Sequence, residues 1–204
     1  MQTPETMEET PDTPIRLRTI IVFAMLFAIF AAVIALAYFT TFKRPVTTVI
    51  LVRHAEKKIE PSNPNPDLSD AGKARAQELV RILKDAGVTA IYATQYGRTQ
   101  QTVQPLAAAL SLPVNQVESG QTQKLVEEIT TKHGGGIVFV AGHNNSVPAA
   151  ITALGGPNLP IISESEYDNM FVLTIYRFGS AKVVKLKYGS SAPAEGNQQM
   201  KVTP

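Results

Sequence analysis

The chain has 204 residues, enough for one compact domain and too few for several. Apolar residues make up 44% of it and charged ones 18%, which excludes disorder throughout and burial in a membrane throughout, while a net charge of +2 is too small and scattered for a nucleic-acid partner. The absence of cysteine excludes disulfides, zinc–thiolate sites, iron–sulfur clusters and thiol catalysis, so the chemistry falls to His, Arg, carboxylates and hydroxyls.

The first segment, residues 1–18, carries Glu5, Glu8, Glu9 and Asp12 between Pro4, Pro11 and Pro14, the composition of a disordered acidic tail. Residues 19–42 follow as a membrane anchor. From Ile20 to Phe39 there is no charge, over the roughly 20 residues that cross a bilayer. Ala35-Leu36-Ala37 has the small-x-small form of a signal-peptide cleavage site. The apolar run, however, exceeds the usual ~7–15 residues of a signal peptide and a long tail precedes it, so the anchor is read as retained. Basic pairs flank both ends, Arg16 and Arg18 against Lys43 and Arg44, so the positive-inside bias is nearly balanced. Long domains translocate largely regardless of charge. The expectation is a single-pass membrane protein whose flanking charges do not settle the side, the extracytoplasmic face being one placement for its folded domain.

Residues 46–189 read as one folded domain. Thr48 to Val52 is a β-branched apolar run, as in a strand buried on both faces. Ser69-Asp70 opens a helix to about Asp85, with Leu79, Val80, Ile82 and Leu83 on its apolar side and Gly87 beyond its end. Ala90 to Ala93 is a second strand. Arg98 to Leu110 is a helix that Pro105 should kink or restart. Val114 to Val117 is a short strand and Thr122 to Lys132 a helix closed by Gly134-Gly135-Gly136. Ile137 to Ala141 is a fourth strand, and Ser146 caps a helix to Leu154. Met170 to Phe178 and Lys182 to Tyr188 form a hairpin around Gly179-Ser180. The tail at 190–204 has no apolar pattern and reads as disordered. Four strand–helix alternations predict an α/β three-layer sandwich with a mostly parallel sheet and an antiparallel edge, preceded by one transmembrane helix.

In such sheets ligands sit beyond the C-terminal strand ends. Here the first strand ends in Arg53-His54, the second is followed by Arg98, and the fourth ends in His143-Asn144-Asn145. The chain has three histidines, and two of them stand at strand ends. Guanidinium forks bind phosphate oxygens in bidentate fashion, and a neutral imidazole is a nucleophile at neutral pH. The neighbouring cationic groups disfavour a metal, so no metal and no organic cofactor are expected.

The same segments resemble the histidine phosphatase superfamily. Val52-Arg53-His54-Ala55-Glu56-Lys57 resembles its Arg-His-Gly signature, with Ala55 in the glycine's place. The run Asp67 to Ala76 resembles the motif opening its first helix, Tyr92 to Thr102 its second Arg motif, and Val140 to Ser146 its second His motif. The resemblance implies that His54 is phosphorylated in the intermediate and that Arg53, Arg98 and His143 complete the phosphate pocket. Asn145 follows His143 closely and either reaches the same pocket through its amide or stabilises the turn. Two departures stand out. Mutase-like members place an acidic general acid after the third strand, where Glu118 is the candidate here, with Glu56, Glu164 and Asp168 as alternatives. The acid-phosphatase branch has Asp after the second His, where this chain has Asn144.

These observations predict a membrane-anchored phosphatase acting on a phosphorylated small molecule or phosphoprotein, with no nucleic acid involved. Phosphoglycerate mutase-like transfer and a non-catalytic, membrane-tethered phospho-ligand sensor are the alternatives. The segment from Gly155 to Tyr167 is the candidate lid; Ile59 to Pro66 is the other candidate rim, with a plain surface loop the preferred reading.

Overall fold

The structure, a computed structural model, describes residues 13–42, 46–176 and 181–190. The acidic tail before residue 13, the basic pair Lys43-Arg44, the turn at Gly179-Ser180 and the tail from residue 191 lie outside the described residues. The chain divides into two compact units, Met1–Arg44 and Pro45–Pro204.

The first unit holds helix α1 (Thr13–Phe42). It begins earlier than the expected anchor boundary at residue 19, so 13–18 are helical rather than part of an irregular tail. Pro14 sits in its first turn, where a missing N–H costs nothing. Leu17–Tyr38 is long and apolar enough to span a membrane, and none of it is buried, unlike the core helix of a soluble domain.

The second unit contains a six-stranded sheet. Strand β1 (Thr47–Arg53) leads through a loop to α2 (Asp70–Leu83), then β2 (Val88–Ala93), α3 (Gly97–Leu110), β3 (Val114–Gln116), α4 (Thr122–Lys132), β4 (Ile137–Gly142), α5 (Ser146–Ala153), β5 (Asn169–Ile175) and β6 (Ala181–Lys187). The strand order is β3-β2-β4-β1-β5-β6. The first four are mutually parallel, while β5 and β6 run antiparallel at one edge. Alternation along β1 feeds two cores. Val49 and Leu51 join Leu125, Ile129, Val147 and Ile151 under α4 and α5, whereas Ile50 and Val52 join Leu79, Leu83, Val103 and Leu106 under α2 and α3. This is the expected three-layer arrangement.

The helix termini follow local chemistry, with two adjustments. The Ser69 side chain accepts from Gly72 N (3.2 Å) and donates to the Glu56 carbonyl (3.2 Å), tying the start of α2 to the loop after β1. A Cβ at Gly72 would collide with that same Glu56 carbonyl, so glycine permits the close approach. Pro105 lies inside α3, which stays one helix from Gly97 to Leu110 without a second start. Ser146 is not the cap of α5. Asn145 occupies that position without a side-chain cap bond, and Ser146 Oγ instead accepts from His143 N at 2.8 Å, bracing the turn that carries the histidine.

Candidate active site

Strand order decides the site. Because β4 lies between β1 and β2, the ends of all three strands are adjacent, with Arg53 opposite Gly142 and Ala93 opposite Ala141. The residues that follow these ends line one cleft: Arg53, His54, Lys57, Tyr96, Arg98, Ser119, His143, Asn144, Asn145 and Glu164. The predicted set Arg53, His54, Arg98, His143 and Asn145 is therefore brought together. Glu118 is not among the lining residues. It is exposed, accepts from Gln116 (3.2 Å) and borders a neighbouring, mostly apolar cavity with Leu51, Tyr92 and Leu125. The carboxylate in the cleft is Glu164, while Glu56 and Asp168 are engaged by Arg75 and Lys187.

His54 is 4% exposed and held in one orientation. Its Nδ1 donates to the Ala55 carbonyl at 2.8 Å, which leaves Nε2 as the nitrogen with a free lone pair. Burial, with smaller contributions from the charges of Arg53, His143 and Arg98, lowers its pKa to about 3, against the opposing Ala55 hydrogen bond. The imidazole is therefore neutral at physiological pH. The His143 ring lies 5.5 Å away by centroid in a T-shaped arrangement, and its pKa is lowered to about 4 by burial, then by Arg98 and Arg53. Its Nε2 meets Thr94 Oγ1 at 3.0 Å.

Arg98, at the start of α3, stacks over Tyr96 at 4.4 Å and reaches the Pro64 carbonyl at 3.4 Å. Asn65 Oδ1 accepts from Gly97 N at 2.9 Å, so the loop read as a plain surface segment braces the beginning of α3. Arg53 is 1% exposed and does more than line the cleft. It donates through Nη1 to the carbonyls of Ser163 and Glu164 (both 2.8 Å) and through Nη2 to Glu164 Oε2 at 2.7 Å. The Tyr167 ring packs 4.2 Å from its guanidinium carbon. Glu164 also accepts from Asn144 at 2.6 Å. The candidate lid is thus strapped down by the arginine. The Nε atoms of Arg53 and Arg98 are both buried without an acceptor among the described residues, an arrangement that favours an anionic ligand.

Sequence reasoning missed Thr94, Tyr96 and Lys57 as site residues. Thr94 follows the end of β2, so the strand-end rule that found the histidines would have reached it as well.

Among solved structures, the chain is similar to the protein histidine phosphatase SixA complexed with tungstate, at 16% identity and a TM-score of 0.56, covering 69% of this chain and 96% of that one. It is similar to a mycobacterial glucosyl-3-phosphoglycerate phosphatase at 13% identity and a TM-score of 0.56, covering 72% of this chain and all of that one. At such identities the likeness is one of fold. No curated protein matches the sequence. The family model described as histidine phosphatase superfamily (branch 1) matches residues 49–120, which include the Arg53-His54 turn and Arg98. The fold and the order of the motifs agree with that match, so over this stretch the chain is similar to the histidine phosphatase superfamily.

Proposed function

We propose that the chain is a membrane-anchored phosphatase that hydrolyses phosphate esters or phosphoramidates through a phosphohistidine intermediate on His54. The observation that carries this reading is the buried, neutral His54 with Nδ1 committed to a carbonyl, beside two arginines with orphaned donors. The Nε2 lone pair attacks phosphorus in line, a P–Nε2 bond forms, and the P–O or P–N bond to the leaving group breaks with its electron pair. Arg53, Arg98, His143 and Asn145 bind the equatorial oxygens, whose charge grows as the bond breaks. Water then attacks the phosphohistidine, releasing inorganic phosphate and restoring the Nε2 lone pair. No metal enters these steps.

The leaving group needs a proton, and the carboxylates supply one poorly. Glu164 is paired with Arg53, and Glu118 stands outside the cleft lining. This supports substrates whose leaving group needs little acid assistance, such as phosphoramidates, acyl phosphates and aryl esters. The anchor would hold the domain at a membrane with the domain on the extracytoplasmic side, a placement that protease accessibility in intact cells would test.

The deciding experiment incubates the full chain in detergent micelles with para-nitrophenyl phosphate beside the His54→Ala variant, then quenches and measures acid-labile phosphate on the protein. Turnover and labelling should both vanish in the variant. Retained turnover would overturn the nucleophile assignment, and wild-type phosphate binding without turnover would favour a tethered sensor.

A further inference from the structure

The hydroxyls behind His143 form a directed chain. Thr99 Oγ1 lies 2.8 Å from the Tyr96 carbonyl and 3.1 Å from the Thr94 carbonyl, and the latter already accepts from Gln100 Nε2 at 2.7 Å. Carbonyls only accept, so the single Thr99 hydroxyl proton goes to Tyr96 O. The 2.7 Å contact between the two threonine hydroxyls must then use the Thr94 proton, with Thr99 accepting. Having spent its only proton, Thr94 can meet His143 Nε2 at 3.0 Å only as an acceptor. The proton of neutral His143 is therefore on Nε2. Nδ1 carries a bare lone pair, makes no hydrogen bond among the described residues, and is the ring nitrogen left to meet a ligand in the cleft that His143 lines.

We propose that Thr94 and Thr99 are positioning residues that keep the His143 proton on Nε2, so that a phosphoryl group can bind against Nδ1 only together with an additional proton. This rests on the phosphatase reading above. A fully ionised phosphate oxygen facing Nδ1 would set lone pair against lone pair. One proton taken from solvent and shared between Nδ1 and that oxygen turns the repulsion into a charge-assisted hydrogen bond. The surroundings set the need for this proton. Arg53 and His54 come from the end of β1, Tyr96 and Arg98 from the start of α3, Lys57 from the loop after β1, and Glu164 and Tyr167 from the strapped segment. The cations among them keep the empty imidazole neutral, as its lowered pKa reflects, and a phosphoryl dianion reverses that balance.

The test measures proton uptake when inorganic phosphate binds to the full chain in detergent micelles. Calorimetry at about pH 8, where free phosphate is mostly dianionic, in two buffers of different ionisation heat, reads it directly. The wild type should take up about one proton per phosphate bound. Thr94→Val removes the acceptor and lets the imidazole move its proton to Nδ1, so uptake should fall below half, while Thr94→Ser should behave as wild type. Thr99→Ala frees the Thr94 proton to point at Nε2 and should also lower uptake. Nitrogen NMR of histidine-labelled chain should show Nε2–H for neutral His143 in the wild type and Nδ1–H in the Val and Ala variants. Wild-type binding without proton uptake, unchanged uptake in both variants, or an Nδ1–H tautomer in the wild type would overturn the proposal alone. Absence of phosphate binding would overturn it together with the phosphatase reading.

Discussion

Two buried histidines should make this protein's stability fall steeply in mild acid. The folded-state pKa of His54 is about 3 and that of His143 about 4, both lowered from 6.5. Above about pH 6.5 both imidazoles are neutral whether the chain is folded or unfolded, so they add no pH dependence. Below it the unfolded chain binds two protons that the folded chain refuses, so stability falls with pH until the folded-state values near 3 and 4 are reached. At pH 5 each group lies about 1.5 units below its unfolded value, worth about 2 kcal/mol each and about 4 kcal/mol together. Because both folded imidazoles are still neutral at pH 5, this magnitude depends on the unfolded value alone. Urea unfolding of the full chain in micelles at pH 7 and pH 5, beside a His54→Gln/His143→Gln variant, isolates the contribution, since the carboxylates titrate in both proteins. The wild type should lose about 4 kcal/mol more than the variant between the two pH values. Equal losses would refute the assignment of both histidines as buried and neutral.

Other perturbations probe the scaffold and the strap. Arg75 pairs with Glu56 through Nε and Nη2 at 2.7–3.0 Å and donates to the Tyr188 and Ser190 carbonyls at 2.8 Å, so Arg75→Met should cost about 3 kcal/mol in urea unfolding, the low end for a broken buried pair because Glu56 keeps some water. Gly72→Ala should lower stability by about 2 kcal/mol and reduce turnover, because the added Cβ displaces the Glu56 backbone two residues from His54; Gly134→Ala, whose Cβ meets only ordinary contact, should do neither. Glu164→Gln removes the carboxylate that competes with an anion for Arg53 and should tighten inorganic phosphate binding roughly fivefold, a modest effect because the Glu164 side chain is 69% exposed. Unchanged phosphate affinity would show that the strap and the phosphate use separate faces of the guanidinium.

The sequence by itself determined the order of the regular elements and the histidines and arginines of the cleft. Apolar runs such as Thr48 to Val52 and Ile137 to Ala141 are local signals of buried strands, and Arg53, His54, Arg98 and His143 are legible because they follow strand ends. Three points differ from the sequence reading: α1 starts at Thr13, α3 runs through Pro105 as one helix, and Ser146 braces His143 instead of capping α5. The tertiary structure decided the strand order. Inserting β4 between β1 and β2 makes three strand ends into one site, and strand pairing depends on burial across distances that periodicity does not record. It also decided which carboxylate faces the cleft. Glu118 was the residue suggested by motif position, yet Glu164 occupies the rim because Arg53, 111 positions earlier in the chain, draws in the carbonyls and carboxylate of its segment. The tautomer of His143 has the same origin, since Thr94 and Thr99 lie more than forty positions before it and meet it only after the sheet has formed.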